Sequence, residues 1–235
     1  MQPYFLPYIG YLQLIAAVDV FIIYDNIKYT KKGWINRNRM LLNGTDAVFS
    51  IPLKKDSDNL NVVNREISGD FNREKLLNQF KGAYSSAPCF AQTFPLIEQI
   101  ITNKEQNLFS FIHSSIINLC KHIDINTEIR ISSHINIDHN LKSQEKVLAL
   151  CDATQASAYY NAIGGMELYA LNDFQNQGLD LKFIKSKPFV YPQLGNEFVP
   201  WLSIVDVLMF NPIDAVREFI FNHYELVSPC SNGKN

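Results

Sequence analysis

The sequence predicts an α/β protein: a parallel sheet covered by helices on both faces, carrying a β-hairpin and a helical insertion. Three observations point there. Between residues 127 and 185, short runs rich in β-branched and aromatic residues alternate with amphipathic segments of helical length, the pattern of βαβ units. Asn43-Gly44 stands between two strand-like runs, and this dipeptide readily takes the positive φ values of a type I′ hairpin turn. From residue 70 to 124, by contrast, apolar residues recur every three or four positions with few strand signals.

In chain order, GYLQLIAAVDVFIIYD opens with helical spacing at Leu12, Ile15 and Ala16, then passes at Val18 into a buried strand with Asp25 at its carboxyl end. RNRMLLNGTDAVFSIPL supplies the hairpin. Three helices, separated near Pro88 and Asn103, fill the middle. Next come strand TEIRISS, helix KSQEKVLALCDAT, strand SAYYNAI, a turn at Gly164-Gly165, helix MELYALNDFQNQ and strand LDLKFIK. VPWLSIVDVLMFNPIDAVREFIFNHY reads as two helices divided at Asn211-Pro212, and SPCSNGKN as a frayed tail. No internal repeat, low-complexity tract or linker interrupts the pattern. The expected organisation is one domain over 1–235, with 70–124 as a helical insertion.

Composition narrows the function classes. With 235 residues, 47% of them hydrophobic, the chain can bury a full core. Asp19 and Asp25 interrupt the most apolar N-terminal region, so no run reaches the roughly 18 residues of a membrane span. A basic start and an uninterrupted apolar stretch, the marks of a signal peptide, are missing from MQPYFLPYIGYLQLI. A cytoplasmic protein is expected. Cys89, Cys120, Cys151 and Cys230 are far apart and form no CxxC pair, which favours reduced, buried thiols over a disulfide frame or a metal site. The net charge is −2, yet residues 1–55 carry +4. A focused positive patch suits a phosphate-bearing small ligand better than nucleic acid, which demands a larger basic surface.

By the rule that ligands collect at the carboxyl ends of parallel strands, four segments converge on one crevice: QPYFLPYIGY, YDNIKYTKKGWINRNR, RISSHI and YNAIGGMELY. The first offers Gln2, Tyr4, Tyr8 and Tyr11, with Gly10 permitting close approach to the helix start. In KKGWINRNR an extended backbone would send Trp34, Asn36 and Asn38 to one side, to stack and hydrogen-bond, and Ile35, Arg37 and Arg39 to the other, to grip phosphate or carboxylate. A solvated basic hairpin strand, or a nucleic-acid-binding arm, is the competing reading. Asp25 stands where a metal ligand, a ribose-binding acid or a general base could stand, or a loop tie. Gly164 and Gly165 enter a helix as a phosphate cradle would. Ser133 and His134, neighbours on a strand, point to opposite faces and so do not pair as nucleophile and base. His113 and His122, on apolar helices, read as structural. Asp206 lies on a strongly apolar helix and requires a partner.

The segments MQPYFLPYIGYLQLI, VDVFIIYDNIKYTKKGWINRNR, YYNAIGGMELY, GLDLKFI and FVPWLSIVDVLMFN closely resemble the WbqC-like protein family, from the first residue to about residue 222. Association of that family with O-antigen and other surface-polysaccharide gene clusters implies work on a nucleotide-linked sugar. The activity it implies is transfer of an acyl or aminoacyl group to the amine of a nucleotide-linked amino sugar. The donor would be pre-activated, on an acyl or aminoacyl carrier, and no cofactor or metal ligand is assigned. Tyr8, Tyr11, Lys32, Trp34, Arg37 and Arg39 would hold the nucleotide and phosphates, and Asp25 would take the amine proton. PYFLPYIGYLQLI is also similar in layout to the strand–turn–helix of HIGH-motif nucleotidyltransferases, which implies a Rossmann-like sheet. Tyr8-Ile9-Gly10-Tyr11 occupies the place of His-x-Gly-His, and tyrosine cannot present an imidazolium to a triphosphate. Such folds place a short apolar strand ahead of this motif: either the start lies upstream of Met1 or the sheet lacks that strand.

Overall fold

The computed structural model describes residues 1–57, 59–195 and 197–229. A Pro-containing loop leads into α1 (Ile9–Ala16) and β1 (Val20–Ile23). A hairpin follows, β2 (Arg37–Leu42) with β3 (Thr45–Ser50), then three helices, α2 (Arg73–Tyr84), α3 (Phe90–Thr102) and α4 (Leu108–Ile123). Beyond β4 (Glu128–Ile131), α5 (Ser143–Ala153) precedes β5 (Ala158–Ala162), and α6 (Leu171–Asn176) precedes β6 (Asp180–Ser186). The chain finishes with α7 (Ile204–Phe210), α8 (Ile213–Asn222) and β7 (Tyr224–Val227).

The fold is mixed α/β, with β1 parallel to β4 and β5 parallel to β6. The hairpin turns at Asn43 (φ 52°) and Gly44 (φ 77°), the left-handed values of a type I′ turn, so Leu42 faces Thr45 and Arg37 faces Ser50. Three features depart from the sequence pattern. β7 adds an antiparallel edge to β6, where a frayed end was expected from residue 228 and helix up to Tyr224. A 3₁₀ segment over Ile163–Leu168 replaces the start of the helix expected from Met166, leaving α6 with only six residues. Ser132–His134 also form a 3₁₀ turn, so Ser133 and His134 are not on opposite faces of a strand. Cys230 and most of the tail lie outside the described residues.

The two parallel pairs do not join into one continuous sheet. β1 and β5 instead line opposite sides of a cleft of about 470 Å³, whose walls include Val20, Phe21 and Ile22 together with Ala158–Asn161. The Met1 amino group donates to the Ile22 carbonyl (2.7 Å) and the Tyr24 amide to the Met1 carbonyl (2.8 Å), so Met1 sits along the edge of β1 that faces away from β4.

One large core joins α1, the hairpin, α2–α4, α7 and α8, and a smaller one is built from Val147, Cys151, Phe174, Leu179, Leu181 and Phe183. Burial of α1 extends to Gln13, whose side-chain amide donates to the carbonyls of Phe219 (2.8 Å) and His223 (3.1 Å) while Ser186 donates to its oxygen. Asp206 finds its partners in side chains: Tyr84 donates to Oδ1 (3.0 Å), and Tyr191 and Gln193 donate to Oδ2 (2.7 Å each). Among the described residues no helix is long and apolar enough to cross a membrane.

Candidate functional site

A cavity of about 1020 Å³, near the upper end of the roughly 300–1,000 Å³ common for small-molecule sites, opens between the α1 start, α5, and the β5 and β6 ends. Tyrosines dominate its wall: Tyr4, Tyr8, Tyr11, Tyr24, Tyr159 and Tyr169. The Pro3–Pro7 loop delivers the first three. Tyr8 stands immediately before α1 and Tyr11 in its first turn, while Tyr4 and Tyr11 meet with ring centroids 5.4 Å apart. Gln2 fastens this group, accepting from Tyr4 at its side chain (3.1 Å) and from Tyr11 at its carbonyl (2.9 Å). At Gly10 a Cβ would lie 2.9 Å from Ser186 Oγ and 3.1 Å from the Tyr8 ring, so here glycine lets β6 and Tyr8 close on the helix.

On the far wall Tyr159 and Tyr169 share a hydrogen bond (3.0 Å), and the Asn161 amide donates to both hydroxyls, at 3.2 and 2.8 Å. Gly165 makes room for this cluster, since a Cβ there would fall 3.1 Å from the Asn161 amide nitrogen. Burial raises the pKa of Tyr4, Tyr8, Tyr11, Tyr24 and Tyr159; at Tyr8 a bond with Ser186 works the other way. These hydroxyls therefore stay protonated at neutral pH and act as donors.

A smaller pocket of about 250 Å³ adjoins the first and shares Tyr4, Tyr8 and Trp201 with it, adding Pro7, Trp34, Asn38 and Arg39. Trp34 and Trp201 are 43% and 61% exposed, unusual for rings of this size with no cover. Trp201 (φ 62°) and Leu6 (φ 44°) both hold left-handed backbone, costly for such side chains, and the surroundings fix them. Ser203 Oγ and Asn38 Nδ2 each donate to the Leu6 carbonyl at 2.7 Å, and Arg39 donates to the Trp201 carbonyl at 3.3 Å.

The structure thus brings Gln2, Tyr4, Tyr8, Tyr11, Gly164 and Gly165 to the large cavity, and Trp34 and Arg39 to its annex. Four other candidates line neither. Asp25 is buried with its carboxylate accepting from the Ser133 amide (3.0 Å). Asn36 is spent on the Tyr29 hydroxyl (2.8 Å) and the Ile51 carbonyl (2.7 Å). Arg37 folds back onto the Gly33 and Lys32 carbonyls, and Lys32 is exposed. The expected segregation of KKGWINRNR also fails: Arg37 and Arg39 lie 5.3 and 5.5 Å from the Trp34 ring, on the same side, because residues 31–36 turn and the strand begins only at Arg37.

Sequence reasoning missed Lys146, Tyr159 and Trp201, and brought Asn161 and Tyr169 to the crevice only as part of YNAIGGMELY, without a role. For Lys146 a signal existed: it lies next to Val147 and four residues before Leu150, on the apolar side of α5. Cys89, Cys120 and Cys151 are free thiols, and burial lifts Cys120 to about 12 and Cys151 to about 11, making both inert. His113 stacks on Phe109 at 5.7 Å. No group of three metal-ligating side chains occurs among the described residues.

Fold and site together define an α/β protein with a tyrosine-walled cavity at the ends of its strands. The chain belongs to the WbqC-like protein family, whose model matches residues 2–218. An uncharacterized protein of Mycobacterium tuberculosis, Rv1507c, is similar at 26% identity over 214 residues, covering 90% of this chain and 91% of its own. No solved structure matches.

Proposed function

We propose that the protein is a transferase of surface-polysaccharide biosynthesis that acylates, or aminoacylates, the amine of a nucleotide-linked amino sugar. The observation that carries this reading is the large cavity with its neutral tyrosines, of which Tyr8 and Tyr24 are not spent on Gln2 or on each other, and its tryptophan- and arginine-lined annex. Aromatic faces suit a nucleobase and a pyranose, and protonated hydroxyls suit the oxygen of an acyl group whose carbonyl turns into an oxyanion during attack. In the reaction the amine nitrogen bonds to the acyl carbon and the bond to the carrier breaks. The carrier leaves with the electron pair, and the amine proton passes to it through solvent. Tyr8 and Tyr11, in place of the histidines of adenylyl-transfer enzymes, favour a donor activated beforehand over activation by ATP. Asp25 has no part in this reading, because it is buried outside the cavity wall, with Oδ1 accepting from the Ser133 amide.

A second reading, a non-catalytic nucleotide-sugar-binding or assembly protein, is favoured by the wall itself, where no described lining residue is His, Cys, Asp or Glu. Isothermal titration with UDP- and dTDP-amino sugars tests the shared part of both readings: micromolar binding is expected, weakened by Tyr8→Ala, and no binding to any of them would sink both. Mass spectrometry of the bound sugar after adding candidate donors separates them. A mass gain identifies the transferase; binding without product identifies the binder. Release of AMP or ADP would point instead to an ATP-dependent ligase.

A further inference from the structure

The large cavity is lined by two lysines, Lys146 and Lys185, and by no carboxylate. In a protein of net charge −2 that is a local excess of positive charge with no counter-ion in the wall. Lys185 is neutralised from outside by Glu225 at 3.0 Å, on the exposed side of the β6–β7 pair. Lys146 is different. It is 7% exposed, its ammonium donates to Asn26 Oδ1 (3.0 Å), and it rides 5.3 Å above the Tyr24 ring. Among the described residues no carboxylate lies within salt-bridge distance of it.

The group is held in place with care. His139 Nε2 contacts the Ile135 carbonyl at 3.0 Å and therefore carries the proton, which leaves Nδ1 to accept from the Asn26 amide (3.0 Å). That fixes Asn26 with its oxygen toward Lys146. One neutral acceptor and one aromatic face satisfy a single N–H and part of the charge; among the described residues the remaining donors have no hydrogen-bond partner, and the residue lines the cavity. Burial lowers the basicity of the amine, with Asp25 behind it opposing this in part. A buried cation with so little compensation is costly, and an anion beside it would recover that cost.

We infer that Lys146 is the anion anchor of the cavity, binding a phosphoryl group of the ligand, with Asn26 and His139 as its positioning residues. The inference rests on the reading above only in its choice of phosphoryl over other oxyanions. It moves the diphosphate away from Lys32 and Arg37, which do not reach the cavity, and onto a residue of α5.

Two measurements on the full chain test it, with inorganic pyrophosphate, UDP and, as a carboxylate arm, glutamate. In the first, trace acetylation of the native protein is mapped by mass spectrometry; pyrophosphate and UDP should slow the labelling of Lys146 several-fold while leaving exposed Lys32 and Lys75 unchanged. In the second, Lys146→Met should weaken UDP binding roughly tenfold to a hundredfold, the loss of one charge-assisted contact, with an unaltered circular dichroism spectrum. If Lys146→Met does not fold, the labelling of the native protein decides. Labelling of Lys146 that pyrophosphate and UDP leave unaffected, or UDP binding unchanged in a folded Lys146→Met, overturns the inference, as does protection by glutamate alone. Protection by pyrophosphate with no affinity for any nucleotide sugar would keep the anchor and sink the proposed substrate instead.

Discussion

Lys146 and Asp206 are both buried ionisable side chains on helices, but one has a single hydrogen-bond partner and the other three. Asp206 accepts three hydrogen bonds, and Tyr84 passes the network on by accepting from the Leu41 amide (2.9 Å), so α2, α7, the hairpin and the 191–193 segment meet at one carboxylate. Burial raises its pKa, with the bonds from Tyr191, Gln193 and Tyr84 pulling the other way. The folded chain therefore holds this proton more tightly than the unfolded chain. Its contribution is full below the ordinary carboxylate value of about 3.9, and stability declines as pH rises from there through the folded pKa, then levels. Urea denaturation across pH 4–8 should show that decline in the native chain and a smaller one in Asp206→Ala. The variant should also lose about 2–5 kcal/mol at pH 7, since the buried hydroxyls of Tyr84 and Tyr191 are left without their acceptor. The sequence revealed that Asp206 needs a partner but not which, because Tyr84 and Gln193 are 122 and 13 residues away and only packing brings them together.

Elements were the most readable level. The hairpin, the three middle helices and the division at Asn211-Pro212 follow from turn chemistry and helical spacing, which are local. β7 was hidden because it is four residues long, follows a helix directly and exists only by pairing with Ser186 back to Phe183. The 3₁₀ segment escaped for a related reason: at Gly165 the backbone passes so close to Asn161 and Tyr169 that a Cβ would lie 3.1 Å from the Asn161 amide nitrogen, a tertiary constraint that local propensity does not show. The facing edges of β1 and β5 have a measurable consequence. Since Ile22 presents its carbonyl to Met1 and Asp19 presents its own to Glu128, the amides of Val20 and Ile22 point into the cleft and those of Phe21 and Ile23 toward β4. Amide hydrogen exchange should be clearly faster at Val20 and Ile22 than at Phe21 and Ile23; equal protection would mean that the cleft is closed in solution.

Across the whole molecule, the large cavity draws its wall from both cores: Leu14, Tyr11 and Ile184 belong to the larger, while Val147 belongs to the smaller and Tyr159 and Tyr169 pack against it. A ligand seated there holds the two together. At a hundred times its dissociation constant it should stabilise the chain by about 2.7 kcal/mol, read as a rise in Tm. The accompanying gain in exchange protection should reach β5 and β6 and spare α3. Such a cavity is only partly legible beforehand, since the tyrosines of the opening loop announce one wall whereas Asn161 and Lys146 join it through the tertiary fold. The two tryptophans carry a further consequence. They are the chain's full complement of indoles, both sit at the mouth of the annex, and Tyr8 lies 5.2 Å from Trp201. The tryptophan fluorescence of the folded protein, excited beyond the tyrosine band, is therefore a signal from one place, an optical probe already installed at the entrance of the site.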